Sequence, residues 1–280
     1  MTRNIVITGA TSGIGEVAAI KLAASGARIV LIARDKGRAA ATLKKLSEAN
    51  STIDHAVYFA DLSSVAEMKR IATEISVKEP VIDVLINNAG AVFMGDEKTV
   101  DGLSPTFALN HLAYFVITLL LLPNLRASAS ARVICTASRA HRYAKMNFDD
   151  LQRNGILAYA QSKLENLLFV HYLAQLLKYE SVTINAFHPG FVATRFADNT
   201  NFFWRSLMRI RKKLFGLTIE QGASTLIYLA TTEEVATISG KYFVDCKSQQ
   251  PSDAAINDEY AQKLWKISTS LTAVDFSTKI

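Results

Sequence analysis

Only two cysteines, Cys135 and Cys246, occur in this 280-residue chain, and they lie far apart. That is too few for a disulfide framework or a thiolate metal site. Both fall in apolar stretches that read as strands, where small buried thiols are common. Histidine is scarce too. Of the five, His111, His141 and His188 lack the paired spacing of a metal site, so no metal is expected. His111 and His188 read as structural residues and His141 as a residue lining a pocket. Long apolar runs are also missing: the longest covers residues 112–122, stops at Pro123 and falls short of the ~20 residues that span a bilayer. It reads as a buried helix. From Met1-Thr2-Arg3 the chain passes straight into Ile5-Val6-Ile7, without the parts of a signal peptide, and a cytoplasmic location is the expectation. No block of one charge sign appears either; 31 basic and 25 acidic residues are spread along the chain, with no basic motif interleaved with aromatics. Nucleic acid is thereby excluded as a partner.

No linker, internal repeat or low-complexity segment divides the chain, and half of its residues are hydrophobic, so one α/β domain over residues 1–280 is expected. Short β-rich runs alternate with longer helical stretches. Strands are expected at Asn4–Thr8, Arg28–Ala33 and residues 56–60, 84–86, 132–136, 182–186 and 241–244. The first helix runs from Gly13 to Ser25 and stops at Gly26. A final helix is expected over residues 253–270. Runs such as Ile29-Val30-Leu31-Ile32 are apolar without alternation, as in strands covered on both faces. The rhythm predicts a doubly wound, mostly parallel sheet of Rossmann type, flanked by helices on both faces. Two long irregular stretches, residues 139–157 and 191–217, leave the carboxyl end of that sheet, where ligands bind in open α/β folds.

Straight after the first strand comes Thr8-Gly9-Ala10-Thr11-Ser12-Gly13-Ile14-Gly15. Gly9, Gly13 and Gly15 permit a tight turn whose amides approach a pyrophosphate at a helix N-terminus. At the end of the second strand an acidic residue would bind a ribose 2′-hydroxyl, but the chain has Ala33-Arg34-Asp35 with Arg38 one turn on. Arginines there suit a 2′-phosphate. Asp35 is better placed as a helix N-cap. NADP is therefore expected in preference to NAD.

In Tyr159-Ala160-Gln161-Ser162-Lys163 the i, i+4 spacing puts Tyr159 and Lys163 on one helix face. A phenol titrates near pH ~10. A nearby ammonium favours the phenolate and lowers that pKa, so the pair is a candidate acid–base catalyst.

With Gly9, Gly13, Gly15, Asp61, Asn87-Asn88-Ala89-Gly90, Asn110, Ser138, Tyr159, Lys163 and Pro189-Gly190 in order, the chain resembles the short-chain dehydrogenase/reductase family over about residues 4–245. Thr99-Val100-Asp101-Gly102, Asn110-His111-Leu112, Ser138-Arg139-Ala140-His141, His188-Pro189-Gly190 and Ser239-Gly240-Lys241-Tyr242-Phe243 look like its retinol-dehydrogenase-like branch, and Arg34 with Arg38 like NADP-dependent carbonyl reductases. The resemblance implies that Tyr159 donates or accepts the proton and that Ser138 hydrogen-bonds the substrate oxygen. Lys163 would bind the nicotinamide ribose and lower the tyrosine pKa, and Asn110 would support Lys163 through a water. Asp61 and Leu62 would flank the adenine, Asn88, Ala89 and Gly90 the adenosine ribose, and Pro189, Gly190, Val192 and Thr194 the nicotinamide amide. Thr136-Ala137-Ser138 replaces the paired serines common in relatives while keeping the second one. Members of the branch often carry an N-terminal membrane anchor, which this chain is expected to lack.

Residues 201–215 combine apolar bulk with cations. Three readings stay open: a lid over an apolar substrate within residues 191–217, a membrane-surface helix making peripheral contact, or a packed helix with solvated charges. Phe191, Phe196, Phe203 and Trp204 join His141 as pocket candidates. Tyr228 and Trp265 read as helix-packing aromatics. The expected activity is reduction of a ketone or aldehyde on a fairly apolar small molecule, reversible as alcohol oxidation. Reduction of a conjugated carbon–carbon double bond, and a dinucleotide-binding redox sensor without turnover, are the alternatives. The family resemblance also admits a homo-oligomer.

Overall fold

Unbroken apolar runs become strands buried on both faces. The computed structural model describes residues 2–190 and 218–277. Its strands are β1 (Asn4–Thr8), β2 (Arg28–Ala33), β3 (Ala56–Phe59), β4 (Val84–Asn87), β5 (Ala131–Thr136), β6 (Val182–His188), β7 (Tyr242–Val244) and β8 (Lys247–Gln249). They form one sheet in the order β3-β2-β1-β4-β5-β6-β7-β8. All pairs are parallel except β7 with β8. Period-2 alternation splits the core in two. Val6, Val30, Ile32, Leu85, Val133 and Ile184 face one layer. Ile5, Ile7, Ile29, Leu31, Ile86 and Phe187 face the other.

The main helices are α1 (Gly13–Ala24), α2 (Lys36–Ala49), α3 (Val65–Lys78), α4 (Ala113–Leu120), α5 (Ile156–Leu176), α6 (Ile219–Thr231) and α7 (Asp258–Thr272). Gly26, with φ +94°, follows the end of α1 and provides the expected stop. Asp35 caps α2, its carboxylate accepting the Arg38 N–H at 2.9 Å. A turn at Pro105–Phe107 and a π turn at Ala108–Leu112 lead into α4, every residue of which is buried.

Several expectations need correction. The buried helix read over residues 112–122 breaks at Leu121, and Pro123 sits in the first turn of a short helix, Leu122–Arg126, where its missing N–H costs nothing. The final helix is two pieces: a 3-10 turn, Asp253–Ile256, and α7, separated by Asn257 in extended conformation with its side chain accepting the Tyr260 N–H. Cys246 lies in the turn before β8 with φ 59°, outside any strand, while Cys135 is in β5 as expected. No hydrophobic pattern announced β8, because all three of its residues are exposed.

Trp265 fastens α7 to the body. Its ring meets Phe115 edge-on with centroids 4.9 Å apart, stacks on Phe169 at 6.1 Å and touches Tyr172 at 5.0 Å, and its Nε1 donates to Asp275 at 3.0 Å. Trp265 therefore packs as expected, and so does Tyr228 against Phe243. Trp265→Ala should lower unfolding free energy by about 3 kcal/mol or more in a urea titration.

Candidate active site

The strand order reverses between the parallel neighbours β1 and β4, the point in such a sheet where a crevice forms beyond the carboxyl ends of the strands. Side chains at the strand ends brace it. Thr8 Oγ1 accepts the backbone N–H groups of Asn88 and Ala89 at 2.9 and 3.0 Å. The Asn88 amide donates to the carbonyls of Thr8 (3.3 Å) and Gly9 (3.0 Å), and its Oδ1 accepts the Thr136 hydroxyl at 3.2 Å. One residue thus laces the ends of β1, β4 and β5. Gly15 is required by this packing: a Cβ there would lie 2.5 Å from both Asn88 Nδ2 and the Gly9 carbonyl. Gly9 (φ +68°) and Gly13 (φ +60°) adopt left-handed conformations, and Ser12 stands at the start of α1 without using its side chain to cap it.

Along the same edge, Arg34 follows β2 and Arg38 stands in the first turn of α2. Both are exposed, Arg34 lying 3.7 Å from Asp61 Oδ2 and Arg38 3.4 Å from Asp35 Oδ2. Exposed pairs of this kind are weak and exchangeable. Asp61 Oδ1 is held by Ser63, and Leu62 is buried.

The catalytic candidates meet where α5 passes the carboxyl end of β5. Lys163 is 2 % exposed; its Nζ donates to the Thr136 carbonyl at 3.1 Å and lies 5.5 Å from the Tyr159 ring centre and 5.7 Å from that of Tyr114. Gly90 borders it, since a Cβ at that position would come 3.5 Å from Lys163 Nζ and 3.2 Å from Asn110 Oδ1. Asn110 sits in the π turn, a distortion common at functional sites. Its amide pairs with the Ala91 backbone in both directions at 2.9 Å and donates to Ser162 Oγ at 3.1 Å, while Ser162 donates to the Tyr159 carbonyl at 2.8 Å. The Asn110 side chain therefore braces the loop after Gly90 against α5.

Ser138 caps a 3-10 turn, Arg139–Tyr143, accepting the Ala140 N–H at 3.2 Å, and hydrogen-bonds Tyr159 through its side chain. Burial pushes the Tyr159 phenol above its ordinary value, with the Ser138 hydrogen bond working the other way. The lowering expected from Lys163 does not appear among the causes of the shift. Burial also lowers Lys163, to about 8. Both shifts favour the neutral forms, as desolvation does for any ionisable group.

His141, read as a pocket residue, borders no open space among the described residues. It is fully buried, with Nδ1 2.6 Å from the Ser138 carbonyl and Nε2 accepting the Ser252 N–H at 3.2 Å. His111 is structural as expected: Nε2 lies 2.9 Å from the Ser268 hydroxyl, and burial holds its pKa down to about 3. Pro189 and Gly190 (φ +81°) follow β6 at the crevice. Phe191, Val192, Thr194, Phe196, Phe203, Trp204 and the expected lid lie outside the described residues. Among the described residues no group of acidic, cysteine or histidine side chains could hold a metal, and no helix is long and apolar enough to cross a membrane.

Similarity agrees with this architecture. A family model for short chain dehydrogenase matches residues 3–202. The chain belongs to the short-chain dehydrogenase family. It is 38% identical to retinol dehydrogenase 12 of Mus musculus, over 97% of this chain and 87% of that protein. Among solved structures, the Pseudomonas aeruginosa RhlG/NADP active-site complex has TM-score 0.70 and 29% identity, covering 91% of this chain and 96% of that one. An NADH-dependent reductase, A1-R′, has TM-score 0.69 and 29% identity, covering 86% and 94%. The retinol-dehydrogenase-like branch and oxidoreductase chemistry with a nicotinamide cofactor follow from this membership. The residues present fit such a group: an uncapped α1 N-terminus for phosphates, a bare Gly90 Cα beside the Lys163 ammonium, and two hydroxyls within hydrogen-bonding distance of each other.

A cavity of about 300 Å³ lies on the other flank of α5, lined in part by Phe107, Leu151, Leu157, Gln161 and Glu165. At 100° per residue those α5 positions point away from Tyr159 and Lys163. Sequence reasoning passed over Glu165, a mid-helix carboxylate with nothing in its neighbourhood to mark it. It is 2 % exposed, accepts Gln161 Nε2 at 3.0 Å, and burial pushes its pKa up to about 8. A carboxyl raised in the folded state binds its proton more tightly there than when unfolded. Its contribution to stability is fully present below pH ~4.5 and is lost as pH rises through about 8. Glu165→Gln should therefore raise the melting temperature more at pH ~8.5 than at pH ~5; equal shifts at both would contradict this.

Proposed function

We propose that this chain is an NADP-dependent oxidoreductase that reduces a carbonyl, and reversibly oxidises an alcohol, on a fairly apolar small molecule. The observation that carries the reading is the meeting of Ser138 and Tyr159 through their side chains, beside the buried Lys163 and along the same sheet edge as the glycine turn.

A nicotinamide bound between the glycine turn and Lys163 would supply or take up the hydride. As a carbonyl becomes an alkoxide its oxygen gains negative charge, and the hydroxyls of Ser138 and Tyr159 are two donors able to stabilise it. Tyr159 is protonated at neutral pH, because burial raises its pKa, and so it stands ready as the acid. Transfer of its proton leaves a phenolate next to Lys163, whose charge then favours that state. Lys163 remains largely ammonium near neutrality at about 8 and is held in place by the Thr136 carbonyl.

Preference for NADP rests on Arg34 just after β2 and Arg38 in the first turn of α2, with Asp35 committed to capping α2. Either arginine can exchange its exposed carboxylate partner for a 2′-phosphate. An apolar substrate is supported by exposed Met94, in the loop after β4, and exposed Ile156, at the start of α5 on the Tyr159 face.

A screen of aldehydes, ketones and alcohols followed through nicotinamide absorbance with both cofactors tests the reading. Tyr159→Phe should cut kcat by roughly 10²-fold or more while NADPH still binds; retained turnover refutes the assigned role. Arg34→Ala combined with Arg38→Ala should raise KM for NADPH by roughly tenfold or more and leave that for NADH nearly unchanged. Tighter use of NADH by the unaltered protein overturns the cofactor assignment.

A further inference from the structure

One peptide group in the site is gripped at both ends by imidazoles. The carbonyl of Ser138 accepts from His141 Nδ1 at 2.6 Å, and the N–H of Arg139, in the same peptide unit, donates to His188 Nδ1 at 3.3 Å. A carbonyl can only accept and an amide N–H can only donate, so the tautomers are dictated. His141 must carry its proton on Nδ1. His188 must leave Nδ1 bare and carry its proton on Nε2. The far side of His141 is consistent, because Nε2 accepts the Ser252 N–H at 3.2 Å and would clash with it if protonated.

Neither ring is free to turn. His141 is fully buried and meets Tyr242 edge-on with centroids 5.1 Å apart, while His188, 9 % exposed, ends β6 in register with Val244. Burial and nearby positive charge keep both neutral. His188 is lowered to about 4 by desolvation, Arg139 and His141; His141 is lowered by desolvation, with Arg142 adding to it against the Ser138 carbonyl.

We infer that His141 and His188 are positioning residues that clamp the Ser138–Arg139 peptide and so aim the Ser138 hydroxyl at the substrate oxygen. The hydroxyl itself is fixed from a third side by the Ala140 N–H at 3.2 Å. With the peptide plane held by two imidazoles and the side chain by one amide, Ser138 has one orientation, toward Tyr159. The inference rests on the oxidoreductase reading for its kinetic consequence and on geometry alone for the tautomers.

Two measurements test it separately. In the unaltered protein with ¹⁵N-labelled histidine, NMR at neutral pH should find His141 protonated on Nδ1 and His188 on Nε2, the signals being assigned with single His→Asn variants. The same tautomer at both positions overturns the clamp, whether or not any substrate is turned over. In kinetics, His141→Phe and His188→Phe should each lower kcat on the order of 10²-fold, as a displacement of about 1 Å does, with NADPH affinity by fluorescence changed less than twofold. His141→Asn retains a donor and His188→Asn an acceptor in place of Nδ1, and each should recover most of the loss. Parallel loss of NADPH binding, or no recovery in the asparagine variants, assigns both histidines to general folding and overturns the inference. Absence of turnover in the unaltered protein counts against the oxidoreductase reading instead, and the tautomers then decide the clamp.

Discussion

The site depends on an ammonium removed from water. Lys163 is carried by a central turn of α5 into a place with almost no solvent, where its partners are the Thr136 carbonyl and the faces of two tyrosine rings. Such a group is costly to keep as a cation unless its hydrogen-bond partners are held in place around it. Much of the local architecture holds them there: Asn88 holding three strand ends together, Asn110 spanning from Ala91 to α5, and Asn166 sharing the Thr136 carbonyl.

Desolvation also explains why Tyr159 is not a ready-made phenolate. An ammonium on the same helix face lowers a phenol's pKa, and is itself raised, only if their attraction exceeds the cost of burial, and here burial is the larger influence on each. The pair is poised for a proton to leave Tyr159 when charge develops on a substrate oxygen. It is not poised to hold a charge separation beforehand.

Much of this was legible in the residues. Central parallel strands are covered on both faces, so their apolar runs, Ile29-Val30-Leu31-Ile32 above all, marked the sheet directly, and the first two strands begin and end where the pattern put them. β8 was not legible, because an exposed edge of Lys247, Ser248 and Gln249 has no hydrophobic face and its turn lacks the usual Asn-Gly or Asp-Gly signal. Tyr159, Lys163, Ser138 and Asn110 could be named from order and spacing. Their partners could not: Thr136 enters through a backbone carbonyl, and the Arg139 N–H beside Ser138 meets His188 from 49 positions away, through strand pairing no local pattern encodes. Nor does sequence report burial, which dominates the shifts at Lys163 and Glu165.

The ionisation of Lys163 is the most direct test of this account. In protein carrying ¹⁵N-labelled lysine, with the signal assigned by Lys163→Met, the Nζ resonance should titrate near pH 8. Titration at the ordinary lysine value of 10.5 would mean that the ammonium is solvated, and the buried acid–base pair would not exist.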